Sequence, residues 1–173
     1  MCPIVSIDET ARYIDEMDVD IAITRQPLHQ AGVHELPLLT DELVVVGAAE
    51  LTSQLSPTDL GSHPGVAGLM VLEGDLTSDR AGPFIRQHLG AFRKVAIYDD
   101  PRLLLDAALR GRGLALLSRL MADDAISAAR LVPVVAYPTL PAGTIWISRT
   151  EGEPRSPLVK GVFDSLLGFS PRQ

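Results

Sequence analysis

The sequence has a single cysteine, no long apolar run and little positive charge. Because Cys2 stands alone, an internal disulfide framework and a cysteine-rich zinc site are excluded. No apolar stretch approaches the ~20 residues that a membrane span needs. The first residues also lack the basic and apolar regions of a secretory signal. These absences predict a cytoplasmic protein without a membrane partner.

Positive charge is scarce and scattered. The chain carries 15 Lys and Arg against 22 Asp and Glu, a net charge of −7 with a pI near 5.0. Basic residues lie close together in sequence only in pairs, as at Arg93 with Lys94 and at Arg110 with Arg112. A domain that grips DNA by itself usually shows a basic patch, because phosphate neutralisation supplies most of the affinity. Direct nucleic-acid binding by this chain is therefore not expected.

Motifs of catalysis and metal binding are also missing. The sequence contains no Gly-x-Ser-x-Gly elbow, no phosphate-binding loop and no His-Glu-x-x-His. Its four histidines lack paired ligand spacing, and His29 and His34 are interpreted as solvated loop residues. We therefore predict no enzyme, no metal and no cofactor.

Apolar segments and helical patterns alternate as in an α/β protein. The composition, 46% hydrophobic over 173 residues, suffices for one domain or two small lobes. Residues 43–46 are apolar without alternation, which predicts a strand covered on both faces. Pro133 predicts an edge or a crossover for residues 131–135, and residues 73–82 are predicted to form a loop. Strands are predicted at 4–7, 19–23, 36–46, 66–72, 95–98, 114–117, 131–135 and 144–148; helices are predicted after 8, from 56, and near 83–89, 100–111, 120–129 and 156–167.

Polar residues follow several of these strands where helices begin. In open α/β sheets, ligands bind at the carboxyl ends of strands, where exposed helix N–H groups favour carboxylates and phosphates. An arginine there could pair bidentately with a carboxylate. For any single residue, ordinary helix capping is the favoured explanation. For Arg25, a salt bridge to a neighbouring acid is as plausible as a ligand contact. The residues concerned are Asp8, Thr24, Arg25, Asp99, Asp100 and Ser118.

Seven short segments follow one another in a distinctive order: residues 18–23, 38–46, 59–64, 109–117, 121–124, 130–132 and 156–163. The first, Asp-Val-Asp-Ile-Ala-Ile, is similar to the (E/D)-L-D-L-A-I strand of the effector domains of LysR-type transcription regulators. Residues 109–117 are similar to the A-G-x-G-(I/V)-A-L-L-P segment of those domains. The order and spacing of the segments over residues 18–167 make the chain resemble this family.

The resemblance implies two lobes of the type II periplasmic-binding-protein fold, with a small-molecule effector in the cleft between them. Lobe one would combine residues 1–47 and 132–173, and lobe two would be residues 48–131. The effector would be a small anion, a carboxylate or an amino-acid-like metabolite. The ligand-binding residues carried over in this way are Asp8, Thr24, Arg25, Asp99 and Asp100, together with Glu73 and Ser118.

The resemblance also implies a homodimer that contacts DNA only through an N-terminal helix-turn-helix, which this sequence lacks. The first strand and helix of lobe one are expected to be missing as well. That loss would leave buried strands without ladder partners, so we expect a truncated chain or a strand exchanged with a partner. Ser118 stands where the family often has proline, and Ala129 where it often has glycine.

Two function hypotheses follow. The first is an effector-sensing module of a LysR-type regulator, and the second is a stand-alone solute-binding protein of the same fold, which would need a signal peptide. An enzyme is the least favoured class, because no acid–base pair or cofactor lysine is present; Lys94 and Lys160 are the only lysines.

Overall fold

A computed structural model describes residues 19–54, 67–151 and 156–168. The predicted strand at residues 4–7, Asp8 and the helix opened by Ser56 lie outside these ranges. The described strands are β1 (Ile21–Thr24), β2 (Val33–Ala48), β3 (Leu69–Leu72), β4 (Lys94–Tyr98), β5 (Leu114–Ser118), β6 (Leu131–Pro133) and β7 (Leu140–Thr150). The described helices are α1 (Ala49–Ser53), α2 (Glu73–Thr77), α3 (Ala81–His88), α4 (Pro101–Leu109), α5 (Arg119–Ser127) and α6 (Pro157–Leu167).

The chain divides into two compact units. Unit 1 comprises Met1–Thr40 and Gly143–Gln173, and unit 2 comprises Asp41–Ala142. The divisions, at 40/41 and 142/143, fall within β2 and β7. They lie seven and eleven residues from the lobe boundaries expected at 47/48 and 131/132. Because compact packing does not by itself define ligand-binding lobes, the lobe assignment stays a prediction.

Unit 2 is built on a mixed sheet with the strand order β2-β5-β3-β4. Strand β3 lies between β4 and β5 and is parallel to both, whereas β2 is antiparallel to β5 and to β6. Among the described strands, β6 pairs with β2 alone. Pro133 therefore lies in an edge strand among the described strands, as the sequence predicted. In an edge strand a residue without an N–H can be accommodated, because only one side of the strand is paired.

Helices cover both faces of this sheet. On one face, α3 packs Phe84 and Ile85 into a core that includes Val45 of β2. On the other face, α4 and α5 pack around Val44 and Val46. The unalternating apolar run of β2 is therefore buried from both sides, which confirms the prediction from its composition.

In unit 1, the sheet order is β1-β7-β2, with β1 antiparallel to β7. Helix α6 begins as predicted, with the Ser156 hydroxyl accepting the Leu158 N–H at 3.2 Å. The α6 residue Phe163 is only 3% exposed. Its ring lies 6.0 Å from the His34 ring and 5.3 Å from the Arg149 guanidinium carbon, so a cation–π contact helps to hold the helix in place.

The region between β3 and α3 differs from the sequence prediction. Residues 73–82 were expected to form a loop, but Glu73–Thr77 form the short helix α2. No side chain caps its start at Leu72, and Gly74 and Asp75 are residues more typical of loops. Local propensity therefore predicted the wrong state.

None of the helices in the described parts of the chain is long and apolar enough to cross a membrane.

Helices α4 and α5 end in the same way. After α4, the Gly111 N–H bonds the Ala108 carbonyl and the Arg112 N–H bonds the Ala107 carbonyl, with Gly111 at φ 68. After α5, the Ala129 and Arg130 N–H groups bond the equivalent carbonyls, with Ala129 at φ 54. Both are Schellman motifs, which place one residue in the left-handed region that glycine adopts without strain. In the motif after α5, the residue in the left-handed region is Ala129.

We expect Ala129→Gly to raise the free energy of unfolding by about 0.5–1 kcal/mol, because it removes left-handed strain from a side chain. The reverse change at the matched site, Gly111→Ala, should lower it by a similar amount, since a Cβ there meets only Ala48 Cβ at 3.7 Å. Urea denaturation of both variants measures the two shifts. Shifts of the same sign would contradict strain as their cause.

Candidate functional site

Three predicted site residues lie along one edge of unit 2. Strands β3, β4 and β5 are parallel, so their carboxyl ends meet at the same edge of the sheet. In the ladders, Leu72 lies beside Tyr98, and Met70 lies beside Ala115. The residues at these carboxyl ends therefore line up in the order Ser118, Glu73 and Asp99: Ser118 is the last residue of β5, and the other two directly follow β3 and β4. We call this row the carboxyl edge.

At this edge, Asp100 is the N-cap residue of α4. Its Oδ1 accepts the Arg102 N–H at 2.8 Å, which is the helix cap that the sequence predicted. The Arg102 guanidinium also approaches Asp100 Oδ2 to 2.6 Å. Hydrogen bonds from the Arg102 side chain and N–H, together with its charge, lower the pKa of Asp100. The carboxylate is therefore ionised and already paired within its own helix.

Ser118 meets a buried acid that the sequence did not single out. The Ser118 hydroxyl donates to Asp41 Oδ2 at 2.7 Å and accepts the Met121 N–H at 3.3 Å. Asp41 is only 4% exposed, and its Oδ1 accepts the N–H of Glu42 at 2.9 Å and of Leu120 at 3.4 Å. The predicted cap of α5 is confirmed, and a carboxylate from β2 shares it.

The carboxyl edge is rich in acid. Glu73 and Asp99 are exposed there, and Glu42 lies nearby with an Arg119 guanidinium nitrogen 3.4 Å from its carboxylate. Exposed carboxylates at the end of a sheet can accept hydrogen bonds from an ammonium or a hydroxyl group, whereas they repel another carboxylate. The edge therefore favours a donor or a cation.

Thr24 and Arg25 belong to unit 1, at the end of β1. Thr24 pairs with Trp146 of β7 and its hydroxyl donates to the Gln26 carbonyl at 2.7 Å. The side chain of Arg25 is exposed. The two residues therefore begin the loop that leads to β2, as the sequence predicted, and they place a guanidinium at its start.

The same loop is held by a second acid of β2 that sequence reasoning missed. The Glu35 carboxylate accepts the backbone N–H groups of Leu28 and of His29, the latter at 3.2 Å, and it also accepts the hydroxyl of Ser148 at 3.3 Å. Ser148 is fully buried and His29 has φ 51. Glu35 therefore stabilises the turn from inside unit 1.

One signal could have found both acids. Each is an acid within the mostly apolar β2, where Glu42 is the third acid, and a charged group that is buried in a strand needs a hydrogen-bonded partner. Asp8 lies outside the described residues. Within the described ranges, no three His, Cys, Asp or Glu residues are grouped so that they could hold a metal ion.

Comparison with known proteins identifies relatives of this fold. The family model described as LysR substrate binding domain matches residues 5–169. No curated protein matches the chain. Among solved structures, the effector domain of the transcriptional regulator AmpR of Pseudomonas aeruginosa is 21% identical; the match covers 90% of this chain and 74% of that one, with a TM-score of 0.63.

Two further structures show the same fold. The bromide-bound regulatory domain of HypT from Salmonella typhimurium is 17% identical, with 95% of this chain and 78% of that one covered and a TM-score of 0.62. Vibrio fischeri DarR, solved in complex with DNA, is 16% identical, with a TM-score of 0.69; the match covers 94% of this chain and 55% of DarR. The chain therefore spans about half of DarR.

Proposed function

Because the chain belongs to the LysR substrate-binding domain family, we propose that it senses a small amino-acid-like metabolite for a LysR-type transcription regulator. The family and the fold are those of effector-binding domains of regulators rather than of enzymes. Assembly as a homodimer and DNA binding through a separate helix-turn-helix domain are part of the proposal. The position of the effector in an inter-lobe cleft stays a prediction from the family resemblance.

The observation that carries the proposal is the carboxyl edge of unit 2. Three parallel strands bring Glu73, Asp99 and Ser118 to one edge, which is where ligands bind in open α/β sheets. Glu73 and Asp99 offer exposed carboxylates, so they suit the ammonium group of an amino-acid-like effector rather than its acid group.

For unit 1, taken by itself, we propose a contact for a carboxylate. Arg25 presents an exposed guanidinium directly after β1, and a guanidinium binds a carboxylate through two parallel hydrogen bonds. The hydroxyl of Thr24 already donates its proton to the Gln26 carbonyl, so Arg25 is the proposed donor to the carboxylate. The HypT regulatory domain, which has this fold, was solved with bromide bound, so a domain of this kind accommodates an anion.

A thermal-shift screen tests the proposal. Amino acids and simple carboxylates are added to the wild-type chain, and we expect at least one amino acid to raise Tm by about 3–5 °C near ten times its Kd. Arg25→Ala should weaken that Kd about 10- to 100-fold, because a charge-assisted contact is lost. Titration of the same compound into both proteins measures the change.

The matched control is Arg112→Ala, which also removes an exposed arginine side chain. Arg112 lies just before β5, at the end of the strand away from the carboxyl edge. It should leave the Kd unchanged. If no compound in the screen stabilises the wild type, or if Arg25→Ala responds like Arg112→Ala, the assignment of the effector carboxylate to Arg25 is wrong.

A further inference from the structure

The buried carboxylate of Asp41 lies at the amino end of α5, entirely within unit 2. Both of its oxygens are engaged: Oδ2 accepts the Ser118 hydroxyl at 2.7 Å, and Oδ1 accepts the N–H groups of Glu42 and Leu120. The residue is 4% exposed. An ionised group so far from solvent stays there only when its hydrogen bonds replace those of water.

The position of Asp41 matters because a helix amino terminus attracts anions. Its first N–H groups lack partners within the helix, and the helix dipole adds partial positive charge. In α5, the Leu120 N–H reaches Asp41 and the Met121 N–H reaches the Ser118 hydroxyl. Two of the N–H groups that would attract an external carboxylate, those of Leu120 and Met121, are therefore occupied by side chains of the chain itself.

We infer that Asp41 is a resident anion of the α5 terminus that keeps the anionic group of an effector away from this part of the carboxyl edge. Building on the proposed function, this inference makes Asp41 a specificity-determining residue. It also makes Ser118 a positioning residue instead of an effector contact.

The hydrogen-bond capacity of Ser118 supports this assignment. A hydroxyl group has one proton to donate, and the Ser118 proton is given to Asp41. No proton then remains for an effector carboxylate. Since the buried negative charge of Asp41 also repels a second anion nearby, the acid group of the effector must bind elsewhere, and an ammonium group is favoured at this edge.

Rescue by formate tests the inference without the effector. Asp41→Ala removes the carboxylate and leaves a gap that one formate ion fits. We expect Tm to fall by about 5–10 °C, because the Ser118 hydroxyl and the Leu120 N–H lose their acceptor. Adding formate to this variant should then raise Tm by about 3–5 °C relative to chloride at equal ionic strength.

Two control proteins complete the design. Wild type, whose site is filled, should show no difference between formate and chloride. Glu42→Ala removes the neighbouring, partly exposed carboxylate and should behave like wild type. If Asp41→Ala does not fold in chloride, recovery of its near-ultraviolet circular dichroism in formate becomes the measurement.

Equal behaviour of Asp41→Ala in formate and chloride would overturn the inference, and so would a formate response in wild type. These outcomes do not depend on the effector screen. A failed screen with successful rescue would refute the proposed effector class and leave the role of Asp41 standing. A successful screen without formate rescue would refute the role of Asp41 and leave the proposed effector class standing.

Discussion

Gly113→Ala is expected to lower the free energy of unfolding by about 3 kcal/mol or more. A Cβ at this buried position would lie 2.5 Å from the Gly68 carbonyl oxygen and 3.2 Å from its carbon. The same oxygen accepts the Leu114 N–H at 2.8 Å. The backbone segments before β3 and β5 therefore cannot separate to admit a methyl group without losing a bond that joins the strands.

Urea denaturation measures this loss as a lower midpoint with an unchanged slope. The matched control is Gly74→Ala in α2, where nothing lies within 4 Å of the added Cβ. Alanine is the better helix former, so this control should gain about 0.5–1 kcal/mol. A fall at Gly113 no larger than about 1 kcal/mol would mean that the strands adjust to the methyl group.

The sequence predicted α4 from signals that are local in the chain. A cap, a proline in the first turn and a glycine after the last turn mark α4, and the structure has Asp100, Pro101 and Gly111 in those roles. These residues act through hydrogen bonds and dihedral angles within a few positions of the chain, so their effect can be derived without knowing the tertiary structure.

Contacts between residues far apart in the sequence could not be predicted from local signals. Ser118 was predicted as a helix cap and a ligand contact, yet its hydroxyl donates to Asp41, a residue 77 positions away. The resemblance to known effector domains included Asp41 as part of a strand pattern without giving it a partner. Which strand lies beside β5 depends on sheet topology, and local patterns leave the order of strands open.

In the candidate site, too, local signals were predictable from the sequence and contacts between distant residues were not. The sequence predicted that polar residues follow several strands, and parallel pairing of β3, β4 and β5 brings three of them to one edge. Whether each is available to a ligand depends on its neighbours: Asp100 is paired with Arg102 and Ser118 with Asp41. We therefore propose Glu73 and Asp99 as the effector contacts of unit 2, because they are exposed, whereas Asp100 and Ser118 are hydrogen-bonded to other side chains of the folded chain.

Helix α4 allows a direct measurement of what burial contributes to unit 2. Leu104 is fully buried in a core formed with Met70, Leu117 and Leu131, whereas its neighbour Leu103 is 55% exposed. Leu104→Ala should lower the free energy of unfolding by about 3–4 kcal/mol, because the variant loses buried apolar surface and leaves a cavity beneath the helix.

Leu103→Ala removes the same atoms from the exposed side of the same helix and should change the free energy of unfolding by less than about 0.5 kcal/mol. Because the two variants share helix propensity and chain length, their difference in urea midpoint isolates packing from local structure. Equal losses at both positions would mean that the exposed face of α4 is also covered in solution. Unequal losses, with the slope unchanged, would establish that α4 is held to the sheet by the packing of Leu104.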